Sequence, residues 1–297
     1  MNPGSPLRVA IVGPGRLGSA IGRRWHEAGL TLLGYVGRTP SSVAAACEFT
    51  GAGEALSIED LLKADAVLLA VQDDGLAALA ADLAEALAER LSAVVWLHAS
   101  GSHGLEVLEP LAALGASVGA MHPTCPLPDA ERGYQNLLDQ PCVVMVAGAD
   151  ALGEKTLCAL SGAAGLYPLL TAGGDRLVYH AACVLAANGL TALYSVVEEL
   201  LTQALPEVDA QRIVPALMQT ALETCRRSNP SDALSGPVVR GDAGLVEKQH
   251  KALAVQDSGV AEIYRALMWR AAEMARDRGA LGGSALEQIR RVLSADA

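Results

Sequence analysis

Short apolar runs alternate with amphipathic or alanine-rich stretches between residues 8 and 170. Runs such as Arg8–Val12 and Ala66–Val71 are rich in Val, Ile, Leu and Ala, which is typical of parallel strands covered on both faces. The intervening stretches have the composition and spacing of helices. This alternation predicts an α/β fold, in which residues 1–173 form a doubly wound, largely parallel sheet.

The strand signals stop at Gly173-Gly174, and helical patterns continue to the end of the chain. They predict helices at about 176–204, 209–227, 245–255, 260–278 and 284–293, with a long loop over 228–242. The first helix is apolar nearly all round, so we expect it to be buried against its own domain or a second subunit. The pattern therefore predicts an all-α second domain, residues 174–297, through which the chain forms a homodimer.

Composition narrows the class of protein. Hydrophobic residues make up 51% of the chain and the formal net charge is −11, so nucleic acids and anionic membranes are poor candidate partners. The six cysteines lack zinc-type or C-x-x-C spacing, and the N-terminus has no signal-peptide pattern. We expect free thiols in a cytoplasmic protein.

The first predicted strand leads into a G-x-G-x-x-G motif and then a helix, the context in which this motif indicates dinucleotide binding. Gly13 allows a tight turn, Gly15 lets the backbone approach a pyrophosphate, and Gly18 lets the helix pack on the strand. Helix N–H groups then face the phosphates. The residues expected at the cofactor are Gly13, Pro14, Gly15, Arg16, Leu17 and Gly18.

The end of the second predicted strand indicates which dinucleotide is bound. An acidic residue that bonds the ribose hydroxyl of NAD is expected there, but no acid occurs between Glu27 and Glu48. Arg38 and Thr39 stand at this point and favour a 2′-phosphate. We therefore predict NADP(H). Val71, Gln72 and Ser100, at the ends of later strands, are expected to contact it as well.

Hydride transfer also needs a group that moves a proton. The candidate catalytic residues are His180, Asn188, His122 and Ser100; the candidate substrate-binding residues are Gly101, Arg240 and Asp242. Each has a plain structural alternative, such as a hydrogen-bonded core histidine or an ion pair that fixes the loop. His122 and Cys125 have metal-ligand spacing, but two ligands do not make a site, so we expect no metal.

The motifs together resemble a superfamily in which a Rossmann domain precedes a helical domain similar to that of 6-phosphogluconate dehydrogenase. Its members include prephenate dehydrogenase, pyrroline-5-carboxylate reductase and coenzyme-F420-dependent NADP reductase. Within it the chain is most similar to the group that pairs a Rossmann-like domain with a DUF2520 domain. The residues that carry the resemblance are the segments 11–18, 98–101, 119–123 and 235–242, together with Tyr179-His180-Ala181-Ala182 and Asn188.

The resemblance implies an NADP(H)-dependent oxidoreductase that acts on a small anionic carbonyl, hydroxyl or imine compound between two domains. The lysine that serves sugar-acid dehydrogenases is missing from the helix with His180, so that acid–base scheme does not apply. Two alternatives stay open. The chain could be an NADP-binding sensor or interaction protein without catalysis, or an enzyme similar to prephenate dehydrogenase, which it resembles at His122-Pro123.

Overall fold

The computed structural model describes residues 5–139, 142–171 and 173–294. The chain divides into two compact units, one that ends at Gly189 and one that begins at Leu190. The division expected between residues 173 and 174 stays a prediction, because compactness alone does not define a functional domain. Within the described residues the architecture is an α/β unit followed by a helical one, which confirms the predicted fold class.

The first unit is built on a mixed, mostly parallel sheet. Its strands are β1 (Arg8–Val12), β2 (Thr31–Val36), β3 (Glu54–Ala55), β4 (Ala66–Leu69), β5 (Val95–His98), β6 (Ser117–Pro123), β7 (Val143–Gly148) and β8 (Tyr167–Leu170). Their order is β3-β2-β1-β4-β5-β6-β7-β8. Every neighbouring pair is parallel except β6 and β7, which run antiparallel. From β1 the strands are added towards one edge of the sheet as far as β3, and from β4 onwards they are added towards the opposite edge. Ligands bind at such switch points, here between β1 and β4, in open α/β sheets.

Helices connect the strands of this unit. They are α1 (Arg16–Glu27), α2 (Pro40–Thr50), α3 (Asp73–Leu87), α4 (Glu109–Ala112), α5 (Ala130–Asp139), α6 (Ala151–Ala163) and α7 (Arg176–Val184). Short 3₁₀ segments occupy Glu59–Lys63, Ala88–Ala93 and Leu105–Leu108, and a π-helical turn follows α7 at Leu185–Gly189. The third helix begins at Asp73, directly after Gln72.

Both faces of the sheet are covered, which explains the continuous apolar runs. Val9 and Ile11 of β1 pack on one side with Trp25 of α1. Ala10 and Val12, which alternate with them, pack on the other side in a second cluster. The indole of Trp25 is buried and donates to the carbonyl oxygen of Leu160 at 2.9 Å, so α1 and α6 are tied together on one face.

The second unit is helical in its described residues. It contains α8 (Leu190–Ala204), α9 (Ala210–Arg227), α10 (Pro230–Ala233), α11 (Ala243–Gln256), α12 (Ser258–Asp277) and α13 (Gly283–Ser294). Its core lies among the last three of these helices, where Val246, Ala272 and Ile289 are fully buried. The short helix α10 interrupts the stretch predicted as one long loop.

The segment 176–204 departs from its prediction in two ways. It is not one α-helix, because the π-helical turn separates α7 from α8. None of its residues is buried within this chain, so burial against its own domain, one of the two expected alternatives, is not found. Burial against a second subunit stays a prediction. By length and mean hydropathy, 1.4, Arg176–Ala204 is the described segment that could span a membrane.

Candidate cofactor and active site

The glycine-rich loop after β1 has room for a ligand at one glycine and none at the others. Gly13 has φ +103°, and a Cβ there would lie 2.4 Å from the carbonyl oxygen of Ala70. A Cβ on Gly18 would lie 2.2 Å from the carbonyl oxygen of Gly13. A Cβ on Gly15 would meet nothing within 4 Å. The loop is therefore tight where it packs and open where a pyrophosphate would approach.

The N-terminus of α1 is free of competing groups. Gly15 is its N-cap residue and offers no side-chain cap, and no acidic residue lies in the first turn. The exposed Arg16 begins the helix, while Leu17 packs against the core. Unpaired N–H groups and the positive end of the helix dipole make such a terminus a site for anions. On the other side of the loop, the ring of Pro14 packs against Gly37.

Arg38 and Thr39 occupy the carboxyl end of β2, as predicted. Both side chains are exposed, and Thr39 is the N-cap residue of α2, where its hydroxyl accepts from the N–H of Ser42 at 3.3 Å. The hydroxyl of Thr39 also donates to that of Ser42 at 3.0 Å. A cation thus stands beside a second helix N-terminus, an arrangement that suits a phosphate.

The segment after β4 adjoins the glycine loop. The N–H of Ala70 donates to the carbonyl oxygen of Val12 at 2.8 Å, which extends the β1–β4 pairing towards the crevice. Val71 is half-buried and Gln72, the residue before α3, is exposed. Their side chains lie where the sequence placed them, at the carboxyl edge next to the motif, and their contact with a cofactor stays a prediction.

His98 organises the loop after β5 and is a structural residue. It is fully buried, its Nδ1 accepts from the N–H of Ser100 at 3.2 Å, and its Nε2 donates to the carbonyl oxygen of Gly104 at 3.0 Å. Burial lowers the pKa of His98 to about 4, so the ring is neutral at pH 7. This neutral ring holds both ends of the loop.

The hydroxyl of Ser100 is also used within this loop. Its oxygen accepts from the N–H groups of Ser102 and His103, at 3.2 and 3.1 Å. The hydroxyl of Ser102 in turn donates to a carboxylate oxygen of Asp73 at 2.5 Å, which ties the loop to α3. Sequence reasoning proposed Ser100 for catalysis and cofactor binding; both roles stay predictions beside this turn-forming one.

Gly101 brings together two histidines from distant parts of the chain. A Cβ on Gly101 would lie 2.5 Å from Nδ1 of His180 and 2.7 Å from Nε2 of His122. The two imidazole rings meet edge to face with centroids 5.6 Å apart. The Nδ1 atom of His180 is buried and has no hydrogen-bond partner among the described residues. A buried nitrogen without a partner is costly, and it is the feature a bound polar ligand would satisfy.

His122 lies within β6, which pairs with β7 through the following proline. Its Nδ1 is 2.8 Å from the hydroxyl of Tyr179. Burial, followed by the nearby charges of His180 and Arg176, lowers the pKa of His122 to about 4. Burial, followed by a hydrogen bond to Cys183, raises the pKa of Tyr179. A neutral imidazole and a neutral phenol therefore share this bond at pH 7.

Tyr179 sets the tautomer of His122. An imidazole nitrogen is a stronger base than a phenol oxygen, so Tyr179 donates and Nδ1 of His122 accepts. The proton of His122 then resides on Nε2, the atom that faces Gly101. Tyr179 belongs to a motif recognisable in the sequence, but the motif alone predicts no role for it.

Arg176 is the residue that sequence reasoning missed. Its Nε donates to the carbonyl oxygen of His103 at 3.1 Å and its Nη2 to that of Ser100 at 3.4 Å. The guanidinium lies 5.3 Å from the ring centroid of Tyr179. Two backbone bonds leave several of its five N–H groups unused. The helical spacing of 176, 179, 180 and 183 was the sequence signal that places these side chains on one face.

The remaining predicted site residues are Asn188, Arg240 and Asp242. Asn188 is exposed and lies in the π-helical turn. Arg240 and Asp242 belong to the second unit, where Arg240 is exposed and a carboxylate oxygen of Asp242 accepts from the N–H of Leu245 at 3.1 Å as the N-cap of α11. Their catalytic and substrate-binding roles stay predictions. No group of three metal-ligating side chains occurs among the described residues.

Comparison with known families finds two domain matches that follow one another along the chain. Residues 3–123 match a Rossmann-like domain, and residues 142–271 match a domain of unknown function, DUF2520. No curated protein matches the sequence. Both matches confirm the resemblance to the group that pairs a Rossmann-like domain with a DUF2520 domain.

Solved structures share the fold at low sequence identity. A candidate NADP oxidoreductase from Bacteroides fragilis is 17% identical, with a TM-score of 0.74 over 90% of this chain and 98% of that one. An imine reductase from Streptomyces aurantiacus is 18% identical, with a TM-score of 0.61 over 95% and 99%. Pyrroline carboxylate reductase from Plasmodium falciparum, solved with NADP bound, is 14% identical, with a TM-score of 0.56 over 91% and 98%.

Proposed function

We propose that this chain, which joins a Rossmann-like domain to a DUF2520 domain, is an NADP(H)-dependent oxidoreductase acting on a small anionic carbonyl, hydroxyl or imine compound. The observation that carries the proposal is the juxtaposition at the carboxyl edge of the sheet. An uncapped helix N-terminus lies after β1, and a cluster of two histidines, a tyrosine and an arginine lies around Gly101. The fold is shared with a pyrroline carboxylate reductase solved with NADP bound and with an imine reductase.

The residues present suit a dinucleotide phosphate. The first turn of α1 and the open space at Gly15 would hold the pyrophosphate, and Arg38 with the N-terminus of α2 would hold the 2′-phosphate. The nicotinamide supplies or accepts the hydride when it is bound. Val71 and Gln72 would line the same edge.

His122 is the proposed group that polarises the reacting bond. Its neutral ring carries the proton on Nε2, which faces Gly101, and its Nδ1 is held by Tyr179, so it is oriented to donate a hydrogen bond to the substrate oxygen or nitrogen on which negative charge develops. The unpartnered Nδ1 of His180 faces the same point and would bind a polar group of the substrate. Removal of one such hydrogen-bond donor costs typically ~10²- to 10³-fold in kcat.

Arg176 is the proposed recognition group for an anionic substrate. Arg176 lies next to His122 and forms no ion pair with an acidic side chain among the described residues. Its bonds to the carbonyl oxygens of His103 and Ser100 hold the guanidinium in place. A planar fork with unused N–H groups suits a carboxylate. Arg176 therefore supplies the positive charge and the hydrogen-bond donors that binding of an anionic substrate requires.

We further propose a cytoplasmic homodimer. Leu177, Val178 and Leu185 on the segment after β8 are 65–72% exposed in the single chain. An apolar surface of this kind needs a partner in a protein that stays in solution, and a second copy would bury it. Light scattering on the purified protein would show twice the chain mass if the proposal holds and a single chain if it fails.

The function is tested by the oxidation of NADPH with paired substrates. Each pair consists of a 2-oxo acid or cyclic imino acid and its neutral amide. We expect turnover of the acids and a loss of kcat/KM of about 10- to 100-fold for them in Arg176→Gln, as expected for a charge-assisted hydrogen bond of ~1.5–3 kcal/mol. The amides should lose little.

Arg176→Lys and Arg132→Gln are the controls. Lysine keeps the charge without the fork, and Arg132 is an exposed arginine on α5, so its loss should leave both substrate classes unaffected. Absence of turnover on every pair, with NADPH still bound, would favour the sensor over the enzyme.

A further inference from the structure

Cys125 and Cys142 lie where β6 and β7 separate. The two strands run antiparallel, and the last pair of their ladder is Pro123 with Val144. The same register, continued by two residues in each strand, brings Cys125 opposite Cys142. The two cysteines, distant in sequence, are therefore cross-strand neighbours.

The backbone hydrogen bonds identify the kind of cross-strand pair. The N–H of Thr124 donates to the carbonyl oxygen of Val143 at 2.9 Å, so the preceding pair is a hydrogen-bonded one. The carbonyl oxygen of Cys142 accepts instead from the N–H of Tyr167 in β8 at 3.0 Å and faces away from β6. Cys125 and Cys142 thus form a non-hydrogen-bonded pair, in which Cα atoms are closest, about 4.5 Å apart.

This spacing is what a disulfide requires. The Cα atoms of disulfide-bonded cysteines are usually ~4.4–6.8 Å apart, so a bond could form here without a change in strand pairing. Both side chains belong to the same hydrophobic cluster on one face of the sheet, and the Cys142 thiol donates to the carbonyl oxygen of Val143 at 3.5 Å. Interaction with the neighbouring thiol raises the pKa of Cys125 and lowers that of Cys142. Cys142 is 3% exposed, whereas Cys125 is only half-buried.

We propose that Cys125 and Cys142 are a site of reversible oxidation, at which a peroxide converts the two thiols into a disulfide across β6 and β7. One sulfur attacks the peroxide; the O–O bond breaks, a sulfenic acid forms and one water leaves. The second thiol attacks that sulfur, an S–S bond forms and a second water leaves. The two thiols lose two electrons and the peroxide gains them.

The bond would restrain the strand that carries His122. Cys125 follows His122 by three residues, and the disulfide would join the end of β6 to the start of β7. The loop between them, which contains α5, would be closed covalently. The remaining cysteines (Cys47, Cys158, Cys183 and Cys225) have no such cross-strand partner among the described residues.

The test is peroxide treatment of the folded full-length protein, followed by alkylation in denaturant and peptide mass spectrometry. We expect the free thiols to fall from six to four, with one linked peptide pair that contains Cys125 and Cys142. Dithiothreitol should restore all six. Circular dichroism before and after treatment shows that the fold is retained.

Single substitutions separate this pair from general thiol oxidation. Cys47→Ser should still form the linked peptide, whereas Cys125→Ser should form none, even though Cys142 is present. Cys125→Ser is the primary variant because its side chain is the less buried of the two. Recovery of Cys125 and Cys142 both alkylated after peroxide treatment, or linkage of either to another cysteine, would overturn the proposal.

Discussion

Substitution of Gly101 by alanine tests the geometry of the site most sharply. The added Cβ would lie 2.5 Å from Nδ1 of His180 and 2.7 Å from Nε2 of His122, whereas ordinary contact begins at 3.4 Å. Each ring must then move by up to about 1 Å. Because a misplacement of this size costs about 10²-fold in rate, we expect kcat to fall by that order while the Kd for NADPH stays unchanged.

The fold should survive this substitution. The backbone of Gly101 does not have a positive φ, so alanine is conformationally allowed, and over-packing costs typically ~1–3 kcal/mol. Thermal unfolding gives this cost, fluorescence titration gives the Kd, and steady-state oxidation of NADPH gives kcat. Gly162→Ala is the matched control, because a Cβ there meets nothing within 4 Å.

Two outcomes would refute the reasoning. If Gly101→Ala retains wild-type kcat, then the two histidines do not act at the point that they both face. If NADPH binding is lost together with turnover, the loop after β5 serves the cofactor rather than the substrate. Proton NMR of the imidazole groups shows directly whether the environments of His122 and His180 have changed.

Three further substitutions have defined outcomes. Gly15→Ala should leave the unfolding free energy within about 0.5 kcal/mol of wild type but weaken NADPH binding at least ~10-fold; unchanged binding would contradict the open-loop interpretation. Tyr179→Phe should lower kcat about tenfold, since about 1.4 kcal/mol of hydrogen bonding is lost, and shift the pH profile; an unaltered profile would show that Tyr179 does not position His122. The unfolding free energy should fall as pH drops from about 6.5 to about 4, because the unfolded chain binds a proton at His98 that the folded chain refuses. His98 contributes about 3 kcal/mol to this loss at most. His122, whose pKa is also lowered to about 4, contributes a comparable amount, so His98→Gln should reduce this slope by about half in urea titrations.

The α/β order was readable from the chain because each strand is a short apolar run and each glycine of the motif has a local steric reason. The antiparallel direction of β7 was not, since a strand's own residues do not encode which way its neighbour runs. The π-helical turn was missed because residues 185–189 read as ordinary helix.

The site was only partly predictable for a related reason. His122 lies near the carboxyl end of β6 and Gly101 in the loop after β5, and these two strands are parallel neighbours, so their approach follows from the predicted parallel sheet. Arg176 reaches the carbonyl oxygen of His103 across a sequence separation of 73 residues. No local sequence pattern specifies such a contact, so it can be identified only in the folded structure.

The measurement that bears most directly on the central claim is a fluorescence titration of the purified protein with NADPH and with NADH at one ionic strength. The account predicts that NADPH binds about tenfold or more tightly, about 1.4 kcal/mol, and that Arg38→Ala removes the difference. Binding of neither nucleotide would contradict the account.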